Sequence, residues 1–280
     1  MKRLTCCILI LLNFSTSSFC QNIDTAIAKV FYTLKHQQNI NNKDRFYNEN
    51  MILLVGKKTS LFKSYERMIQ SENVAKNIEE QIKNWTGPRA PRTILPNNLS
   101  AFSTQEVLQS PQNKTIKTSE YLWLNYCYEE PLVSINWKLL PERKQLNGID
   151  CQKATAVYRG REWIVWFAPE IPLETVPWKL YGLPGLIIEA HDKNNEVQFL
   201  FAGLENLNNK QTDAVLVRLP LKVVSTTLNN INKLKEVMYK DPSGFTNTQM
   251  KMARGIIDPK EFAGFGYRKI SNPIDLTEVK

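Results

Sequence analysis

Lys153-Ala154-Thr155-Ala156-Val157-Tyr158-Arg159-Gly160-Arg161-Glu162-Trp163-Ile164-Val165-Trp166-Phe167-Ala168 carries the pattern that decides the fold class. Two β-prone runs, Lys153 to Tyr158 and Glu162 to Ala168, flank Arg159-Gly160-Arg161. A short glycine-containing break between two such runs predicts a β-hairpin. The pattern returns at once: Gly185 to His191 and Val197 to Ala202 flank the polar Asp192-Lys193-Asn194-Asn195-Glu196. Short strands at close spacing, with no helices between them, predict an antiparallel sheet rather than βαβ units.

Working outward, Tyr121-Leu122-Trp123-Leu124-Asn125-Tyr126-Cys127-Tyr128 reads as an aromatic strand. Ile27 to Leu34 alternates imperfectly as a strand, and His36 to Asn50 is an Asn-rich loop or hairpin tip. Met51 to Val55 and Ser60-Leu61-Phe62 read as strands about a Gly56-Lys57-Lys58-Thr59 turn. Val74, Ile78 and Ile82 recur every four residues and Trp85 follows, which predicts a one-sided helix over 72–85, ended by Gly87-Pro88. Residues 86–118, with Pro88, Pro91, Pro96 and Pro111, read as a mobile Pro-rich connection. Downstream, Val215 to Leu219 and Val223-Val224 add strands. A helix is expected around 225–240, with Leu228, Ile231, Leu234, Lys235 and Val237-Met238 on one face, and residues 241–280 show little periodicity. The expected fold is α+β, mostly β: a curved, half-barrel-like antiparallel sheet with a few covering helices, one domain over 21–280.

Residues 1–20 change the bulk arithmetic. Lys2 and Arg3 precede an apolar run from Leu4 to Leu12, and Ser18-Phe19-Cys20 stands before Gln21. This is the pattern of a secretory signal peptide cut after Cys20. Its removal takes the formal charge from +9 to +7 and leaves Cys127 and Cys151 as the thiols of the mature chain. The expected location is periplasmic or otherwise extracytoplasmic. There, two thiols predict a disulfide contributing about 3 kcal/mol; two buried unpaired cysteines are the alternative. Beyond the leader no stretch approaches the ~20 apolar residues of a membrane span. A hydrophobic share of 42% excludes disorder. The basic excess is spread along the chain, without the clustering of a nucleic-acid face.

A search for catalytic patterns is mostly negative. His36 and His191 are too few for a three-His metal site, and HExxH, Walker A, EF-hand, CxxC and G-x-S-x-G elements are absent. No metal and no cofactor is expected. Asp150, Glu162, Glu170, Glu174 and Glu189 lie near a tryptophan-rich region and could supply a carboxylate pair. Arg159 and Arg161 could hold an anion, or could be hairpin-tip charge. Five of the six tryptophans lie between 121 and 181. Such a cluster forms either a core or the lining of a concave apolar pocket.

One stretch is distinctive enough to carry a resemblance. Gly148-Ile149-Asp150-Cys151-Gln152-Lys153-Ala154 is followed by Gly160-Arg161-Glu162-Trp163, then Ala168-Pro169-Glu170-Ile171-Pro172. Pro177-Trp178-Lys179-Leu180-Tyr181 then leads into Gly182-Leu183-Pro184-Gly185-Leu186-Ile187. This order resembles the GLPGLI family (the Porphyromonas gingivalis family) of exported Bacteroidota proteins, and Ser60-Leu61-Phe62 and Asn272-Pro273-Ile274 resemble its outer signatures. Val176 departs from it, standing where the family has Gly. The resemblance implies export and a β-rich fold, and no reaction. Physically, Leu183-Pro184-Gly185-Leu186 fits a type II turn, with Gly at positive φ, over which Trp163, Trp166, Phe167 and Trp178 can pack.

The functional expectation is a non-enzymatic binding or chaperone-like protein of the cell envelope. Its candidate ligand-binding residues are Trp123, Trp163, Trp166, Trp178 and Arg161, and its ligand is apolar or lipid-like. The alternatives are a carboxylate-dependent glycan hydrolase and an interaction module for an outer-membrane transporter.

Overall fold

The computed structural model describes residues 24–86, 103–207, 214–252 and 270–276. The expected leader lies outside the described residues. A two-stranded ribbon pairs β1 (Asp24–Thr25) with β13 (Leu216–Val217). Every other strand joins one sheet. Its members are β2 (Ala28–His36), β3 (Tyr47–Val55), β4 (Ser60–Ser64), β5 (Gln105–Ser110), β6 (Thr115–Leu122), β7 (Leu124–Pro131), β8 (Lys138–Leu146), β9 (Ile149–Tyr158), β10 (Arg161–Ala168), β11 (Leu186–Asp192), β12 (Val197–Asn206) and β14 (Val224–Ser225). The order is β14-β7-β6-β5-β4-β3-β2-β12-β11-β10-β9-β8, antiparallel throughout except for the short β14–β7 pairing. The fold is thus mostly β, with an open curved sheet and, among the described residues, three helices: α1 (Tyr65–Lys83), α2 (Leu228–Lys240) and α3 (Pro242–Met252).

The curvature brings remote strands together. β7 stands second and β10 tenth in the order, yet Arg159, at the turn before β10, meets Glu130 of β7 at 2.9 Å. One face of the sheet sends Val30, Tyr32, Met51, Leu53, Phe62, Val107, Ile116, Trp163, Val165, Phe167 and Phe199 into a common core. The chain between β10 and β11 fills the middle of that core with Val176, Trp178, Leu180 and Leu183. On the opposite face Ile52, Leu54 and Leu61 are covered by Tyr65 and Met68 of α1 and by Val215, Val217 and Leu219. A third cluster packs Leu122, Trp123, Tyr126 and Tyr128 against Ile231, Met238 and Phe245 of α2 and α3.

Both central hairpins form as expected. The first turns on two residues, Arg159 and Gly160, at φ 52° and 78°, and Arg161 already pairs with Tyr158 in the ladder. Elsewhere the structure corrects the sequence reading. The later part of the expected Pro-rich connection is sheet: β5 and the first half of β6 lie in it, while residues 87–102 lie outside the described residues. Buried polar side chains such as Gln109, Thr118 and Ser119 mask the alternation of those two strands. The aromatic run 121–128 is broken at Trp123, whose φ of 69° makes it the corner between β6 and β7. Helix α1 starts at Tyr65, where the Ser64 hydroxyl accepts from the Arg67 amide (3.1 Å) as an N-cap. Helix α3 begins with Asp241 accepting from the Gly244 amide (2.9 Å) and Pro242 in its first turn.

The expected disulfide is not formed. Cys127 on β7 and Cys151 on β9 are both free thiols, the first half-buried and the second buried in the main core. Burial raises both thiol pKa values.

Candidate functional site

The tryptophans expected to line one pocket occupy separate environments. Trp163 (1% exposed) and Trp178 (3%) lie inside the main core, with ring centroids 5.8 Å apart. Trp163 stacks on Phe199 at 6.1 Å, and Trp178 meets Tyr158 edge-on at 6.1 Å. Trp166 is half-buried and lies beneath the ammonium of Lys144 at 4.3 Å, with that of Lys153 at 5.9 Å. Trp123 belongs to the α2–α3 cluster, and Trp137 donates its indole N–H to the Tyr181 carbonyl (3.0 Å). The concave face therefore holds packed side chains where a ligand pocket was expected. The chain supplies its own filling.

That filling is held by the residues that spell the motif. The Gly185 amide donates to the Leu183 carbonyl (3.0 Å), a three-residue turn centred on Pro184. The Leu186 amide donates to Ile171 (3.1 Å), which corrects the expected type II turn. Gly185 does take positive φ, at 143°. A Cβ there would lie 2.8 Å from the Ala168 carbonyl carbon and closer still to its oxygen, so glycine is required by proximity as well as by conformation. Leu183, Leu186 and Ile187 are buried, and the Ile187 carbonyl accepts from the Tyr32 hydroxyl (2.8 Å). Gly182 takes φ 111° beside Trp137, and Cys151 is buried in the same core. Val176 needs no positive φ; Trp178 takes that role, at 53°.

Arg161 is 4% exposed and holds the end of the described chain. Its Nε donates to the Ile274 carbonyl (3.0 Å), and Nη1 to Asp192 and to Glu196 (2.9 Å). Nη2 donates to Asn272 Oδ1 (2.6 Å) and the Pro273 carbonyl (2.7 Å). These bonds use all five guanidinium N–H groups, so Arg161 is a structural clamp, and the expected ligand role is corrected. His36 Nε2 lies 2.6 Å from the Asn272 carbonyl. Gly160 lets the strap approach: a Cβ there would sit 2.8 Å from Leu276 Cβ. Alongside, Glu130 takes Lys179 at 2.6 Å and Arg159 at 2.9 Å, and Arg159 reaches Asp275 at 3.0 Å. Burial alone would raise the Glu130 pKa, but those two cations outweigh it and hold the carboxyl below its usual range.

The carboxylates near the motif are engaged or open to solvent. Glu162 pairs with Lys193 (2.9 Å) and Glu189 with Lys144 (3.3 Å), with His191 Nε2 3.8 Å from Glu189. Asp150, Glu170 and Glu174 are exposed. Among the described residues no group of three or more His, Cys, Asp or Glu side chains is placed to hold a metal ion. No described helix is long and apolar enough to cross a membrane.

An opening lies instead on the outer face, between α1 and the chain after β13. This α1 cleft, of about 380 Å³, is lined by Lys63, Arg67, Met68, Ser71, Glu72, Ala75, Glu106 and residues 216 and 218–221. Its apolar part is Met68, Leu216, Leu219 and Leu221, the last 79% exposed. Its cations are Lys63, Arg67 and Arg218. The Arg67 guanidinium lies 4.9 Å from the centre of the Tyr121 ring, while Lys63 and Arg218 form no ion pair among the described residues. Burial pushes the Glu106 carboxyl pKa up, against the opposing pull of Lys63 and Arg67. None of the five carboxylates singled out by sequence lines this cleft. Sequence reasoning missed the site because its parts come from β4, α1, β5 and the chain after β13, with no spacing to connect them.

No protein-family model matches the chain, and no curated protein does. Among solved structures, two crystal forms of PNGF-II, P21 and C2, are similar at 12% identity, with TM-scores of 0.47 and 0.46. Each match covers 76% of this chain but only 33% or 32% of PNGF-II, so the chain spans about a third of the length of the structures it matches.

Proposed function

We propose that the protein is an exported, non-enzymatic binding protein of the cell envelope, of GLPGLI-family type, whose ligand occupies the α1 cleft. The observation that carries this reading is a contrast between two faces. The tryptophan-rich face is filled by residues 169–185, whereas the outer face keeps an opening with apolar side chains and two cations, Lys63 and Arg218, that form no ion pair among the described residues. Small-molecule sites are concave and join apolar surface to convergent polar groups, and the α1 cleft combines six apolar with six polar or charged lining residues at a fitting volume. The basic, apolar and small-residue order of positions 1–20 supports export.

The test is native mass spectrometry of the full protein recovered from its own cell envelope. A single small-molecule adduct is expected, lost on Leu221→Asp, a change at a side chain too exposed to matter for folding. Protein that carries no small molecule contradicts the reading.

A further inference from the structure

We propose that the α1 cleft takes a single-chain amphiphile with an anionic headgroup, of the monoacyl phosphate type, a step that rests on the binding reading above. Lys63, Arg67 and Arg218 take the headgroup, and Met68, Leu216, Leu219 and Leu221 take the chain. Three elements supply the cations: β4, α1 and the chain after β13. Guanidinium groups suit this work because their fork of donors matches phosphate oxygens. Glu72 and Glu106 line the cleft as well. Three cations face these two carboxylates, which leaves the cleft a positive excess for an anionic headgroup.

The apolar side extends along α1. Arg67, Ser71, Val74 and Ile78 stand at i, i+4, i+7 and i+11, a spacing that places them on one face of the helix. Val74 and Ile78 are half-buried, so an acyl chain leaving the cationic end meets a continuing apolar stripe. A free phosphate would use the cations and leave this surface uncovered. An uncharged amphiphile would desolvate Lys63 and Arg218 without pairing them, a cost that favours the charged headgroup.

The test is calorimetric titration of the full protein with three probes: 1-oleoyl lysophosphatidate, monoolein and glycerol 3-phosphate. They carry chain with charge, chain alone and charge alone. Lysophosphatidate is expected to bind at least tenfold more tightly than either comparator, about 1.4 kcal/mol. The double variant Lys63→Ala/Arg218→Ala is expected to weaken it at least tenfold with an unchanged melting temperature, since among the described residues neither side chain has an ion pair to lose. Leu221→Asp should weaken lysophosphatidate without that double change. Monoolein binding equally well, unaffected by the double variant, overturns the anionic assignment. Glycerol 3-phosphate binding equally well overturns the amphiphile. If no probe binds while envelope-derived protein carries some other molecule, this inference falls and the binding reading stands; if the protein carries nothing, both fall.

Discussion

His36 gives the chain an acid-labile point whose size can be worked from its surroundings. The side chain is 3% exposed, and its Nε2–H donates to the Asn272 carbonyl in the strap held by Arg161. Burial lowers its pKa to about 4, with the neighbouring Arg161 charge acting in the same direction; the Asn272 bond and the Glu196 charge pull upward and lose. The unfolded chain titrates near the ordinary value of 6.5. Between 6.5 and 4 the unfolded state therefore binds the extra proton, and stability falls as the pH falls through that window. The loss is about 2 kcal/mol by pH 5 and about 3 kcal/mol by pH 4. Carboxylates held low, such as Glu130 and Glu196, also lose stability in acid, so the assay compares wild type with His36→Gln, which keeps an N–H donor and does not titrate. Urea unfolding from pH 7.5 to 4.5 should show the wild type losing about 2.5 kcal/mol relative to the variant. Parallel stability curves would refute the reasoning, because His36 would then be hydrated or already charged in the fold.

Three further predictions concern the motif and the thiols. Arg161→Lys leaves at most three donors for the groups that accept from the guanidinium, and should cost about 2–4 kcal/mol in unfolding free energy. Amide exchange at Ser271, Asn272 and Leu276 should accelerate in the same variant, since those amides tie the strap to Gln38 and Arg159. Gly185→Ala forces a Cβ into the Ala168 carbonyl at a φ that alanine disfavours, and should cost about 3 kcal/mol or more, read as a lowered melting temperature or loss of soluble protein. Alkylation of unreduced protein should label both cysteines once it is denatured, with half-buried Cys127 reacting before buried Cys151 in the native state; an intact bridge after denaturation contradicts the two free thiols.

The sheet was legible where burial and alternation coincide. In β10, Arg161, Trp163, Val165 and Phe167 are buried and the intervening Glu162, Ile164 and Trp166 less so, and the Arg159-Gly160 break fits a two-residue turn needing positive φ twice. Legibility failed where a strand buries polar groups, as in β5 and β6, or lies exposed at the sheet edge, as in β8 with Pro141 and its lysines and arginine. The start of α3 carried a usable signal, Asp241 before Pro242, hidden by Gly244 and the weak periodicity that follows. The motif's glycines and prolines spoke for a chain corner, and Gly185 fills that role. What no local pattern revealed is the direction in which the corner points. Only the curl of the whole sheet sends Trp178 and Leu183 inward, turning an apparent pocket lining into core and leaving the α1 cleft open on the other side.

The central claim, that binding belongs to the outer face and the motif to the core, is tested most directly by photo-crosslinking. A lysophosphatidate with a diazirine in its acyl chain would be irradiated with the full protein and the labelled peptides mapped. The account predicts labels on Met68 to Ile78 of α1 and on residues 216–221. Labels concentrated on Trp163, Trp178 and Leu183 would contradict it, because they would place the ligand where the chain's own side chains are packed.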